Sequence, residues 1–67
     1  MSETQLEMAI RHVADQEVRL AKQRALIARM EAHGLPIHQA QDLLGKMVAM
    51  LGEMREHRDF FSRRRRH

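Results

Sequence analysis

Gly34-Leu35-Pro36 breaks the chain near its middle and separates two apolar repeats, each close to the length of a whole helix. Before the break Leu6, Val13, Leu20 and Ile27 recur every seven residues. After it Ile37, Ala40, Leu44, Met47, Leu51, Met54 and Phe61 follow the three-four spacing of a packed helix face. Glycine takes up the left-handed conformation that ends a helix. Proline suits the first turn of the next one, where its missing N–H costs nothing. Two helices joined so tightly must fold back on one another. The expected fold is all-α, an antiparallel two-helix hairpin over 1–62, with helix 1 over about 3–33, the turn at 34–36, helix 2 over about 36–62 and a basic tail at 63–67.

The ends of the helices follow from side chains that satisfy free backbone groups. Ser2 has Gln5 three residues on and Thr4 has Glu7, so each pair can form a capping box at the start of helix 1. No proline or glycine interrupts the stretch from there to His33, and Ala, Leu, Arg, Gln, Glu and Met dominate it. Gly45 and Gly52 fall inside helix 2, each costing up to about 1 kcal/mol relative to alanine. Being seven apart they share a face, which suits either the close approach of another backbone or an ordinary solvated surface.

Heptad letters make the pairing of the helices explicit. In helix 1 the a positions are Leu6, Val13, Leu20 and Ile27, with Ala9, Gln16, Gln23 and Met30 at d. In helix 2 the a positions are Ile37, Leu44, Leu51 and Arg58, with Ala40, Met47, Met54 and Phe61 at d. Folding about residue 34 faces Ile27 with Ala40, Leu20 with Met47, Val13 with Met54 and Leu6 with Phe61. The alternate layers are Met30 with Ile37, Gln23 with Leu44, Gln16 with Leu51, and Ala9 with Arg58. Gln16 and Gln23 are therefore either buried amides that need hydrogen-bond partners or rim residues whose amides stay wet.

Apolar residues spill beyond this seam. Leu26, Leu43 and Met50 fall at g positions, which lie on one side of an antiparallel pair, and Ile10 and Val48 fall on the opposite e edge. A hairpin buries one stripe per helix, so the surplus predicts another layer, most simply two hairpins forming a four-helix bundle as a homodimer. Ordering roughly 60 residues at about 1.5 kcal/mol each also argues against an isolated hairpin. The plainer expectation is a marginal monomer with scattered exposed side chains.

Composition narrows the functional classes. The 67 residues allow one domain with a small core, and a hydrophobic fraction of 43% exceeds that of a disordered chain. Without cysteine there is neither disulfide nor thiolate metal site. The start Met1-Ser2-Glu3-Thr4-Gln5 lacks the basic and apolar run of a secretory signal, and no stretch approaches the roughly 20 apolar residues of a membrane span, so cytoplasmic residence and no integral membrane association are expected. The net charge of +3 comes from Arg63, Arg64, Arg65 and Arg66; without them the chain is slightly acidic.

Those four arginines beside Phe60 and Phe61 admit three roles: phosphate contacts to nucleic acid, a weak anchor on anionic lipid, or a solvated helix end favourable to the C-terminal dipole. The body of the hairpin carries no basic stripe of the kind that reads DNA. His12 and His57 face each other in the expected register, with Asp15 one turn after the first and Glu53 one turn before the second. Two imidazoles and two carboxylates suit zinc or another borderline divalent ion, or a pH-sensitive cluster, although the spacing matches no strong zinc motif. His33 and His38 flank the turn, where capping and solvation account for them. No nucleophile with a base, no glycine-rich phosphate loop and no carboxylate pair beside a cleft is present, so no catalytic residue and no cofactor is expected.

His12-Val13-Ala14, Gln23 with Leu26-Ile27, Met30 before the glycine turn, Ala40 with Leu43-Leu44, and His57-Arg58 together span most of residues 12–58. In these features the chain resembles a group of short uncharacterised alphaproteobacterial helical-hairpin proteins. That group often has an acidic or hydroxyl residue after the turn glycine, where this chain reads Gly34-Leu35-Pro36-Ile37. The terminal arginines lie outside the resemblance. What it implies is a small coiled-coil-like hairpin acting as a partner-binding or regulatory accessory, with no activity to carry over. The expected function is a noncatalytic helical interaction module that dimerises or docks on a larger helical protein through Leu26, Leu43, Met50, Val48 and Ile10. The alternative is a small nucleic-acid-associated protein using Arg63, Arg64, Arg65 and Arg66.

Overall fold

The computed structural model describes residues 2–65. It consists of two helices of 28 residues each, α1 over Gln5–Ala32 and α2 over His38–Arg65, packed side by side in opposite directions. Of the two candidate caps, Thr4 starts α1. Its hydroxyl accepts from the Glu7 backbone N–H at 3.1 Å while the Glu7 carboxylate accepts from the Thr4 N–H at 3.4 Å, completing the capping box. At the other end Gly34 sits at φ 68°. The Leu35 N–H donates to the Met30 carbonyl at 2.9 Å and the Gly34 N–H to the Glu31 carbonyl at 3.0 Å. This is the Schellman closure that a left-handed glycine permits.

Pro36 does not lie in the first turn of α2. The first helical hydrogen bond of α2 runs from the Gln41 N–H to the Ile37 carbonyl at 2.8 Å, which puts Pro36 before the helix. Residues 35–37 have no helical structure. They carry the chain across the 8–10 Å or so that separates packed helix axes. The far end also differs from expectation. α2 continues through Arg63 and Arg64 to Arg65, so most of the presumed tail is helix. Ser62 is followed by no glycine or proline, and arginine is a good helix former, so nothing stops the helix there.

The expected seam is the one observed. Every a and d position from Leu6 to Met30 and from Ile37 to Phe61 is buried or half-buried, and off the seam only Ser62 among the described residues is not exposed. Val13, Leu20 and Leu51 form the core, with Leu44, Met47 and Met54 packed against them. Gln16 is a buried amide, 3% exposed, that donates to the Met47 carbonyl at 3.2 Å; half-buried Gln23 donates to the Ala40 carbonyl at 3.0 Å. Both carbonyls point along α2 toward the residues expected to share a layer with these glutamines, Leu51 and Leu44. Backbone carbonyls recur at every residue, so the two bonds hold the helices together without selecting a heptad register. The short turn and the matched apolar layers do that.

Neither glycine within α2 is approached by anything: a Cβ built at Gly45 or Gly52 meets no atom within 4 Å. Close helix contact within the hairpin is therefore not their role. Gly45→Ala and Gly52→Ala are each expected to raise stability by about 0.5–1 kcal/mol, read as a higher urea midpoint at unchanged slope.

The hairpin is one helix thick. Its extents are 53 × 22 × 13 Å, and its radius of gyration of 15.6 Å compares with about 11 Å for a compact domain of this length. Its accessible surface of 5581 Å² exceeds the roughly 4,400 Å² typical of a folded monomer of this mass. Both broad faces are consequently open to solvent. No described helix is long and apolar enough to cross a membrane.

Candidate interaction face

The side chains that distinguish one broad face from the other are those flanking the seam. On the g side, Leu26 and Met30 of α1 meet Pro36, Ala40 and Leu43 across a groove near the turn. Leu26 and Leu43 are 39% and 50% exposed, and Met50, one heptad beyond Leu43 on the same edge, is 49% exposed. Further from the turn, Asp15 and Arg19 lie beside Met54. Beyond them Met8 and His12 share a second hollow with His57 and Phe61.

The e side is different in character. The Arg55 guanidinium lies 3.9 Å from the Glu17 carboxylate, crossing from α2 to α1. Val48 borders the same hollow as this pair, beside Arg24 and Gly52. Ile10 sits one heptad before Glu17 on α1, on the other side of the ion pair from Val48. The five residues expected to form an interface thus divide: Leu26, Leu43 and Met50 share a face, while Val48 and Ile10 lie on the opposite one, separated by charge. Exposed Met8 and Phe60 join the first group. Both occupy c positions just outside the g edge, a placement the heptad count carries.

His12 and His57 do come together, lining one hollow. The four-ligand set with Asp15 and Glu53 does not assemble, because no group of three or more His, Cys, Asp or Glu side chains placed to hold a metal ion exists among the described residues. His57 instead meets the Phe61 ring edge-to-face at 5.3 Å, and Phe61 meets Phe60 at 5.5 Å. Near the turn, His38 is the first residue of α2 and its Nε2 lies 3.4 Å from Asp42 Oδ2, one turn along the same helix.

Of the four arginines at the end of α2, Arg63 and Arg64 have described side chains. The Arg64 guanidinium stacks 5.6 Å from the Phe60 ring centroid, on the g side of the helix. Arg63 precedes it by one residue and so points about 100° away around the helix. Arg66 and the Arg65 side chain lie outside the described residues. Half-buried Arg58, at the seam's a position, turns its guanidinium to Asp59 at 3.1 Å.

No family model matches this chain, and no curated protein or solved structure matches it either.

Proposed function

We propose that the hairpin is a noncatalytic helical interaction module that self-associates through its g face, two copies making a four-helix bundle. One observation carries this reading: Leu26, Leu43 and Met50 stand exposed along a single edge of a sheet of helices only 13 Å thick. Apolar surface of this kind beside a thin core favours a second layer. The surface in excess of a compact monomer, roughly 1,200 Å² per chain, also exceeds the approximately 800 Å² per partner that a stable interface buries. Three methionines at 47, 50 and 54 give the seam and its flank side chains that adapt to a facing surface. Kinship with the short alphaproteobacterial hairpin proteins belongs to the same proposal and adds no activity to it.

Light scattering on the wild type and on Leu43→Glu/Met50→Glu tests it. The wild type is expected at twice the 7.9 kDa chain mass at micromolar concentration, and the variant at the single-chain mass with its helix content kept. A wild type of single-chain mass at every concentration would refute the proposal. Should the chain instead act on nucleic acid through Arg63, Arg64, Arg65 and Arg66, binding would fall steeply with salt and would be lost on replacing all four.

A further inference from the structure

Apart from Arg19 at the centre and Arg64, which stacks on Phe60 at the terminal end, the lysine, arginine and carboxylate charges bordering the g face fall into two blocks, with Arg29 in the basic one. Lys22 on α1 and Lys46 on α2 lie on the turn side of its midpoint, and Asp15 and Glu53 lie on the terminal side. All four occupy c positions, are exposed, and take part in no ion pair among the described residues. The e face is unlike this, because there Glu17 and Arg55 answer one another within the hairpin. The two helices agree independently on where the blocks change sign. The midpoint of Asp15 and Lys22 falls next to Arg19, and the midpoint of Lys46 and Glu53 falls next to Met50. With Leu20 facing Met47 in the core cluster, Arg19 falls level with Val48, so the two midpoints agree to within two residues, or about 3 Å along the helices.

Two face-to-face arrangements have two-fold symmetry. If both turns point the same way, Lys22 meets the Lys46 of the second copy and Asp15 meets its Glu53, so every flanking contact is between like charges. If the turns point in opposite directions, α1 lies on α1 and α2 on α2. Lys22 then meets Asp15 and Lys46 meets Glu53, twice each. The reversed arrangement replaces four like-charge flanking contacts with four opposite ones and carries one like pair, Arg19 with Arg19 at the axis, so the balance of charge favours it even where each exposed pair adds little affinity. The apolar residues agree with the reversed arrangement. Met30 and Gln39, at the turn end of the groove that Leu26 and Leu43 also line, lie about as far from the midpoint on one side as exposed Met8 and Phe60 lie on the other.

Resting on the self-association proposed above, we propose that two hairpins pair through their g faces with their turns at opposite ends, about a two-fold axis passing between Arg19 and Met50. The Met8–Phe60 end of each copy then covers the Leu26–Leu43 groove of the other. The two Arg19 side chains approach at the axis, each with an Asp15 one turn away.

The absence of cysteine from the chain makes cross-linking a clean test in the whole chain. Met50→Cys, close to the axis, is expected to form a disulfide with itself. Leu43→Cys is not, because its two copies stand about 20 Å apart along the bundle, far beyond the roughly 7 Å limit for a disulfide. A mixture of Leu43→Cys and His57→Cys is expected to give the mixed disulfide. Ready self-linking of Leu43→Cys would overturn the reversed pairing while leaving self-association standing. No linking at Met50→Cys, with a wild type of single-chain mass, would remove both. A second arm keeps the apolar face intact. Lys22→Glu/Lys46→Glu is expected to weaken the dimer roughly tenfold or more, and adding Asp15→Lys/Glu53→Lys on the same chain to restore it. With the turns side by side neither change would alter the balance of like charges, so an unaffected dimer in both variants would also overturn the proposal.

Discussion

Leu20→Ala is expected to abolish cooperative folding of the hairpin. Leu20 is 3% exposed and stands in the small cluster with Val13 and Leu51 at the centre of the core, whose only other buried apolar residues among those described are Ala9 and Ile27. Truncating a buried leucine costs about 2–5 kcal/mol. A single core in a chain this short seldom supplies more than about 3–5 kcal/mol in total, so the loss is of the same size as the stability itself. Thermal denaturation followed by circular dichroism is expected to show a broad, shallow loss of helix in place of a sigmoidal transition. Leu35→Ala, in the exposed turn, serves as the comparison. It is expected to change stability by less than about 0.5 kcal/mol. A Leu20→Ala variant that melts as sharply as the wild type, within a few degrees, would mean that the seam is not the source of the fold's stability.

The second large effect concerns the outer layer. Folding coupled to dimerisation makes stability depend on protein concentration, each tenfold increase adding about 1.4 kcal/mol per mole of dimer. The wild-type melting temperature is therefore expected to rise visibly between 1 and 100 µM or so, over a range that favours association at the upper end. In Leu43→Glu/Met50→Glu the dependence is expected to vanish and the melting temperature to fall below the lowest wild-type value. Both side chains are about half exposed in the single hairpin, so replacing them removes little from its own core. A variant that keeps the wild-type melting temperature and its concentration dependence would show that association, if present, uses another face.

The seam was legible because its signal is redundant. Sixteen a and d positions had to agree on one stripe, and tolerance of Gln16, Gln23 and Arg58 within it did not disturb the period. The cap at Thr4 and the left-handed glycine were equally readable, since each rests on a local hydrogen-bond requirement. What the letters left open were matters of depth and extent. Whether Gln16 was wet or buried depended on how closely the helices approach, and only the packed pair decides that its amide reaches the Met47 carbonyl. The end of α2 was misplaced because a run of arginines reads as a charged tail yet carries no helix stop. α2 begins two residues later than Pro36 suggests, because proline's own φ suits a helix whereas crossing between the helices keeps the chain non-helical to Ile37. The interface residues are each exposed, and their division between the g and e edges is legible in the heptad count; what the structure adds is the Glu17–Arg55 ion pair that crosses the e edge between Ile10 and Val48.

Small-angle X-ray scattering of the full chain over a concentration series tests most directly whether a second copy covers this flank. The forward scattering is expected to give twice 7.9 kDa, and the longest dimension to stay near that of one hairpin, whose extent is 53 Å, because face-to-face pairing adds thickness and not length. A mass of one chain at every concentration, with a radius of gyration near the 15.6 Å of the single hairpin, would contradict it.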